Sequence, residues 1–368
     1  MSFNTPDDGA RRATPGLDEV RQATARGQAA LAEGRVADAI EDYRLAVGLA
    51  EGHGAAGPAL TDAHRGHAIA LMGRSDWLEA EEAFRRALVE AEEIGDELRI
   101  GRALNGLAAV AFERGDWRSA ERYYDSARGY AEAAEDPRLL GQIEQNLGAL
   151  HSAEGDYARA EPFFRGAIER FRAVGGDYCA ARTWNNLGLC LVKQDRCEEA
   201  APAFEMALES CRRHGDTALM IKVLINKGRL SLRRGRPIEA QSCAFRAWEM
   251  VENQAPGPVS AGALCLMGEI ARETGDWIHA TYNFRRALEH SNDRKAPLIE
   301  AETWVQIGYL QRDRGNAPRA LNSWRFARHL YRLLGANLEV DALLEVIDRH
   351  DDAWRDEAPA AAAAGGAA

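Results

Sequence analysis

Small and large apolar residues recur along the chain at a fixed long spacing. Alanine stands at Ala39, Ala80, Ala120, Ala160, Ala200, Ala240, Ala280 and Ala320, and again at Ala46, Ala87, Ala127, Ala167, Ala207, Ala247, Ala287 and Ala327. After a first step one residue longer, both ladders advance by 40 residues. A period of this length predicts stacked supersecondary units, none of which can bury its apolar face alone, in place of one globular core.

Inside each unit the apolar positions follow helical spacing. Four residues after the first alanine comes a large side chain, Tyr43, Phe84, Tyr124, Phe164, Phe204, Phe284 or Trp324, interrupted only by Ala244. Twelve residues before it lies a small one: Gly27, Ala68, Ala108, Gly148, Gly188, Gly228, Gly268 or Gly308. Glycine in a helix interior costs about 1 kcal/mol relative to alanine, so its recurrence calls for a packing reason. A large side chain seated opposite a small one supplies it, because two helices then interdigitate without voids.

Turn signals divide each unit in two. Segments beginning at Gly34, Ser75, Gly115, Gly155, Asp195, Gly235, Gly275 and Gly315 precede the first alanine ladder. A glycine there relieves the strain of a helix end, and the following Asp or polar residue caps the next helix. Pro237 and Pro318 fall in the first turn of that helix, where a missing N–H does no harm. Gly95-Asp96, Asp136-Pro137, Gly175-Gly176-Asp177, Gly215-Asp216 and Pro256-Gly257-Pro258 separate one helical hairpin from the next. The expected fold class is therefore all-α, an α-solenoid of about eight hairpins over residues 17–335. A capping helix over 336–356 follows, started by Asn337, with Leu338, Val340, Leu343, Leu344 and Ile347 as its apolar face. Residues 1–16 and the Ala/Gly tail 357–368 are expected to be unstructured.

Composition narrows the function classes. With 57 acidic and 46 basic residues the net charge is −11, which disfavours broad adhesion to nucleic acid, since that depends on phosphate neutralisation. No signal peptide is read at the N-terminus and no apolar run approaches membrane length, so no membrane insertion and a cytoplasmic location are expected. Cys179, Cys190, Cys197, Cys211, Cys243 and Cys265 form no Cys-x-x-Cys pair and are read as reduced thiols, without a metal or cofactor. His64 and His67 share a helix face near Asp62, but two histidines of this kind more often serve packing than a metal. No His-Glu-x-x-His, Gly-x-Ser-x-Gly or phosphate-loop pattern occurs, so hydrolase and nucleotide-binding activities lack a starting residue and no enzyme is expected. Trp77, Trp117, Tyr157 and Trp277 share one position at the hairpin tip and read as packing between the two helices of a unit.

The succession Trp184, Leu187-Gly188, Ala200, Phe204 and Ala207 resembles the tetratricopeptide repeat, and the pattern recurs in register over residues 17–335. The 40-residue period exceeds the usual 34 and implies longer helices or turns. Units of this style are similar to those of Pins-type polarity adaptors, kinesin light chains and bacterial Rap and MalT-like regulators. The Ala/Arg-rich composition is in keeping with a bacterial source. The resemblance implies a right-handed superhelix whose first helices line a concave groove that holds a partner peptide.

Candidate contacts on that face are cationic or amide-bearing. Arg102 with Asn105, Gln142 with Asn146, Arg182 with Asn185 and Asn186, and Lys222 with Asn226 lie three or four residues apart, so each set falls on one helix face. Lys193, Arg229 and Arg233 extend the stripe. Asn can donate to and accept from an extended backbone while Arg forks onto a carboxylate, which suits an acidic linear segment of a partner protein. The pattern fades at the ends, where the equivalent pairs are Arg21 with Ala25, Asp62 with Gly66, Gly262 with Leu266 and Glu302 with Gln306, which centres it on the third to sixth units. The bland reading of the same residues is that the Asn side chains satisfy neighbouring groups and the cations are solvated. A signal-responsive module acting on a separate protein, and self-assembly through exposed repeat faces or the terminal helix, with Leu343, Leu344 and Ile347 as candidate contacts, are the other function classes; the chain is expected to be a monomer or a homodimer.

Overall fold

The computed structural model describes residues 15–52, 57–252, 256–291 and 296–364. Expectations for residues 1–14 and 365–368 lie outside the described residues. Seventeen helices and no strand occur among the described residues. They pair as α1 (Pro15–Ala32) with α2 (Val36–Gly52), α3 (Pro58–Gly73) with α4 (Trp77–Glu93), and α5 (Glu97–Glu113) with α6 (Trp117–Ala133). The series continues through α7 (Pro137–Ala153), α8 (Tyr157–Ala173), α9 (Asp177–Lys193), α10 (Cys197–His214), α11 (Thr217–Arg233) and α12 (Pro237–Glu249). It closes with α13 (Pro258–Glu273), α14 (Trp277–Ser291), α15 (Pro297–Asp313), α16 (Ala317–Leu333) and α17 (Asn337–Ala364). Contacts divide the chain into two compact units, 1–150 and 151–368, with the division inside α7.

Local chemistry starts each helix. Asp96, Asp116, Asp156, Asp216 and Asp276 stand just before a helix, and each accepts a hydrogen bond from the backbone N–H three residues on, at 2.9 to 3.1 Å. These bonds satisfy donors that a helix start otherwise leaves open. The hairpin turns before them need a left-handed residue, supplied by Gly115, Gly155 and Gly275 with φ near 80°. Ser75 and Asp195 adopt the same conformation at equivalent positions, with φ of 65° and 59°.

Packing bears out the large-on-small arrangement. An added Cβ on Gly27 would lie 2.9 Å from Tyr43 and one on Gly188 would lie 2.7 Å from Phe204. Gly268 stands in the same relation to Phe284, and Gly308 to Trp324. Tyr43 and Phe84 also press on a glycine of the following hairpin, Gly66 and Gly106 respectively. Each of these two aromatics is therefore held between its own hairpin and the next. In the sixth hairpin, where Ala244 replaces the aromatic, Leu266 from α13 comes within 2.6 Å of where a Gly228 Cβ would be. The neighbouring unit fills the socket that its owner leaves empty.

At the C-terminus, Val340, Leu343 and Ile347 of α17 are buried in a cluster with Trp324, Ala327 and Tyr331 of α16. Leu343 and Ile347 are thus spent inside, and of the three residues considered for self-assembly only Leu344 is exposed. The helix continues along the alanine-rich stretch to Ala364, past the capping segment read from the pattern. The tip aromatics sit at the first residue of the second helices; Trp77, Trp117 and Tyr157 are half-buried and Trp277 is exposed, so they shield hairpin ends without being enclosed.

Candidate peptide-binding faces

In the first unit, α3, α5 and α7 line an open hollow of about 450 Å³. Its polar lining is Arg65, Arg102, Asn105, Arg138 and Gln142 against the single carboxylate Asp136; Ile69, Met72, Phe84 and Leu139 supply apolar surface. Three of the sequence-derived candidates, Arg102, Asn105 and Gln142, therefore share one cavity. Arg102 makes a long ion pair with Asp136 at 3.6 Å and Gln142 is exposed. Asn146 does not line the hollow; its Nδ2 donates to Asn105 Oδ1 at 3.1 Å.

Arg65 stands one period before Asn105, and the sequence pattern passes over it because a cation there takes the place of the amide. Burial, opposed by Asp62 and reinforced by Arg102 and Arg99, lowers its affinity for its proton, although a guanidinium stays charged at any ordinary pH. Its Nε is buried without a hydrogen-bond partner among the described residues. Nearby Arg99, by contrast, is held by Asp62 at 2.8 Å and by Asp96. Asp62 is therefore committed to Arg99, and the histidines beside it act as packing groups: His64 is buried, and burial followed by Arg86 pushes its pKa down to about 4. No group of three or more His, Cys, Asp or Glu able to hold a metal occurs among the described residues, and all six cysteines are free thiols.

In the second unit the candidates lie on α9 and α11. Arg182, Lys193 and Lys222 are exposed and make no ion pair among the described residues. Asn226 Nδ2 donates to Asn185 Oδ1 at 2.9 Å, and Asn185 Nδ2 reaches Asn186 Oδ1 at 3.5 Å. The amides thus form rungs between hairpins, each keeping some hydrogen-bonding capacity unused. Arg233 Nη1 donates to the Val192 carbonyl at 3.1 Å and lies 3.8 Å from Asp195, so it caps the C-terminal end of α9.

Arg229 is committed elsewhere. Its Nε donates to Glu269 Oε1 of α13 at 3.1 Å and its Nη2 to Glu302 Oε2 of α15 at 3.0 Å. Burial opposes its charge, but Glu269 and Glu302 outweigh burial and hold its proton more tightly than usual. In the sequence pattern Glu302 stands where the cationic stripe ends. Its register with Arg182 and Lys222 was the signal that an opposite charge closes the same stripe.

The arrangement defines an all-α helical-repeat solenoid of paired helices, with polar residues of the first helices set between neighbouring hairpins. Residues 59–133 and 139–213 match the family model described as tetratricopeptide repeat. Solved structures share the fold. The apo form of RapI is similar with a TM-score of 0.64 at 15% identity, over 74% of this chain and 97% of that one. The apo form of the quorum sensor NprR from B. thuringiensis gives 0.56 at 12% identity, over 90% and 99%. A Rap protein complexed with Competence and Sporulation Factor gives 0.54 at 12% identity, over 93% and 98%. A comparison with curated proteins returns no match. No helix among the described residues is long and apolar enough to cross a membrane.

Proposed function

We propose that this chain is a non-catalytic, cytoplasmic interaction scaffold whose first helices capture an acidic linear segment of a partner protein. The observation that carries the reading is the hollow of the first unit. There Arg65, Arg102 and Arg138 face one carboxylate, and Asn105 and Gln142 offer amides suited to an extended backbone. Arg182, Lys193 and Lys222 on the second unit are a further exposed cationic set, with Asn186 and Asn226 beside them. An acidic segment gains charge-assisted hydrogen bonds from such groups, strengthened where the site is partly desolvated.

A photo-crosslinking residue in place of Ile69, which lines the hollow, tests this in cell extract. The crosslinked partner peptide is identified by mass spectrometry and its synthetic form titrated calorimetrically. Arg102→Glu is expected to weaken binding at least tenfold with helical circular dichroism unchanged, and unchanged affinity for that variant rejects the hollow as the site.

A second reading has support from the fold likeness to a quorum sensor and to a Rap protein solved with a signalling factor. In it the captured segment is a signal, and the chain acts on a separate regulatory protein. Small-angle scattering with and without the peptide separates the two, since a passive scaffold keeps its profile.

A further inference from the structure

Lys222, Asn226, Arg229 and Arg233 recur at three- and four-residue steps along α11 and so share one face of it. Arg229 alone on that face is bound by two carboxylates of this chain, from the two following hairpins. Glu269, buried at 6% exposure, and Glu302, partly exposed, meet on its guanidinium. Cys265 lies among them, its Sγ 3.9 Å from Arg229 Nη2 and 3.5 Å from Glu269 Oε1. One side chain thus ties α11 to α13 and α15. The bond to Glu302 spans 73 residues and skips a hairpin.

We propose that Glu302 is an internal stand-in for the acidic partner segment, and that the Arg229–Glu302 bond is a clasp which the ligand must exchange to engage α11 fully. The proposal rests on the reading of an acidic ligand given above. The two carboxylates already hold Nε and Nη2 of Arg229, so an incoming carboxylate that forks onto that edge must displace the more accessible one. Glu269 is the more deeply buried, which leaves Glu302 as the group that departs. Its departure frees α15 from α11, so ligand binding and the spacing of the last hairpins become one equilibrium. A ligand shifts such an equilibrium only through its different affinity for the two states, and here the difference is the contact with Arg229.

Hydrogen exchange of the full chain, read by mass spectrometry, tests the clasp without any ligand. In Glu302→Gln, amides of α15 are expected to exchange at least tenfold faster than in the wild type, with those of α9 unchanged. Unchanged α15 rates overturn the clasp. Arg229→Lys, which keeps the charge but loses the fork, gives the same comparison should the first variant lose its helical circular dichroism.

Hexaglutamate then serves as the acidic probe in low-salt calorimetry. Binding at least fivefold tighter to Glu302→Gln than to the wild type is expected. Equal affinity for both overturns the role of Glu302 as a stand-in, even if the clasp itself exists. Binding to neither protein sinks the acidic-ligand reading and the coupling with it, while the exchange rates still decide the clasp.

Discussion

Asn226 donates from Nδ2 to Asn185 Oδ1 at 2.9 Å, joining α11 to α9 across 41 residues, and Asn146 makes the same bond to Asn105 in the first unit. The recurrence shows that these amides bridge adjacent hairpins without a ligand. Asn226→Ala is expected to destabilise the free protein by about 1 to 2 kcal/mol, because Asn185 is mostly buried and loses a donor. Chemical denaturation monitored by circular dichroism checks this. An unchanged midpoint would mean that the rung carries no folding energy.

Gly188 and Gly129 form a matched pair for the packing argument. Leucine at Gly188 must displace the Phe204 ring and should cost about 1 to 3 kcal/mol by overpacking. Alanine at Gly129, in α6 with open space around it, should instead gain about 1 kcal/mol from helix propensity. Thermal melts that moved both variants in one direction would contradict the assigned contacts.

Ser75 holds a left-handed conformation that glycine occupies in most of the other hairpin turns. For a residue with a Cβ this costs roughly 1 to 2 kcal/mol. Ser75→Gly should recover part of that cost and raise the melting temperature, provided the turn keeps its shape. A lowered melting temperature would show that the serine contributes something beyond its backbone angle.

Acid should weaken the first unit through His64. Its folded pKa of about 4 lies below the ordinary value of 6.5, so between those values the unfolded chain binds the additional proton. Stability is therefore complete above pH 6.5, falls as pH drops towards 4, and levels off below. The loss is at most about 3.5 kcal/mol, since each tenfold change in proton affinity between the folded and unfolded chain is worth about 1.4 kcal/mol. His67, shifted downward mainly by burial, acts in the same direction. Denaturation midpoints at about pH 7 and about pH 4.5 measure the effect, and His64→Leu should flatten it.

The fold was legible because its determinants are local and repeated. The alanine ladders, the turn glycines and the aromatic opposite Gly188 or Gly268 each describe a contact inside one hairpin or with its neighbour. Even the missing aromatic at Ala244 was visible as an exception, although its remedy, Leu266, comes from the next hairpin and could not be read from spacing. The candidate site was less legible for the same reason. Facing residues on α5 and α7 could be grouped by period, and Arg102, Asn105 and Gln142 do share a hollow. Arg65 holds the register position of Asn105, but as a cation in place of an amide it falls outside a grouping by residue type. Which cations are already paired depends on side-chain reach between hairpins. Thus Arg182, Lys193 and Lys222 remain exposed, while Arg233 caps a helix and Arg229 is bound by Glu269 and Glu302.

The seating of Tyr43 and Phe84 between two successive hairpins bears on how such a chain can lengthen. A duplicate of the second hairpin arrives carrying both an aromatic, Phe84, and the glycine that receives its predecessor's ring, Gly66. Growth by whole periods therefore reuses an existing fit at each new junction, whereas a fractional insertion within a helix presents the ring to the wrong face of its neighbour. Gene duplication in whole-hairpin steps is the inheritance that this packing permits, and surface charge is left free to diverge from one copy to the next.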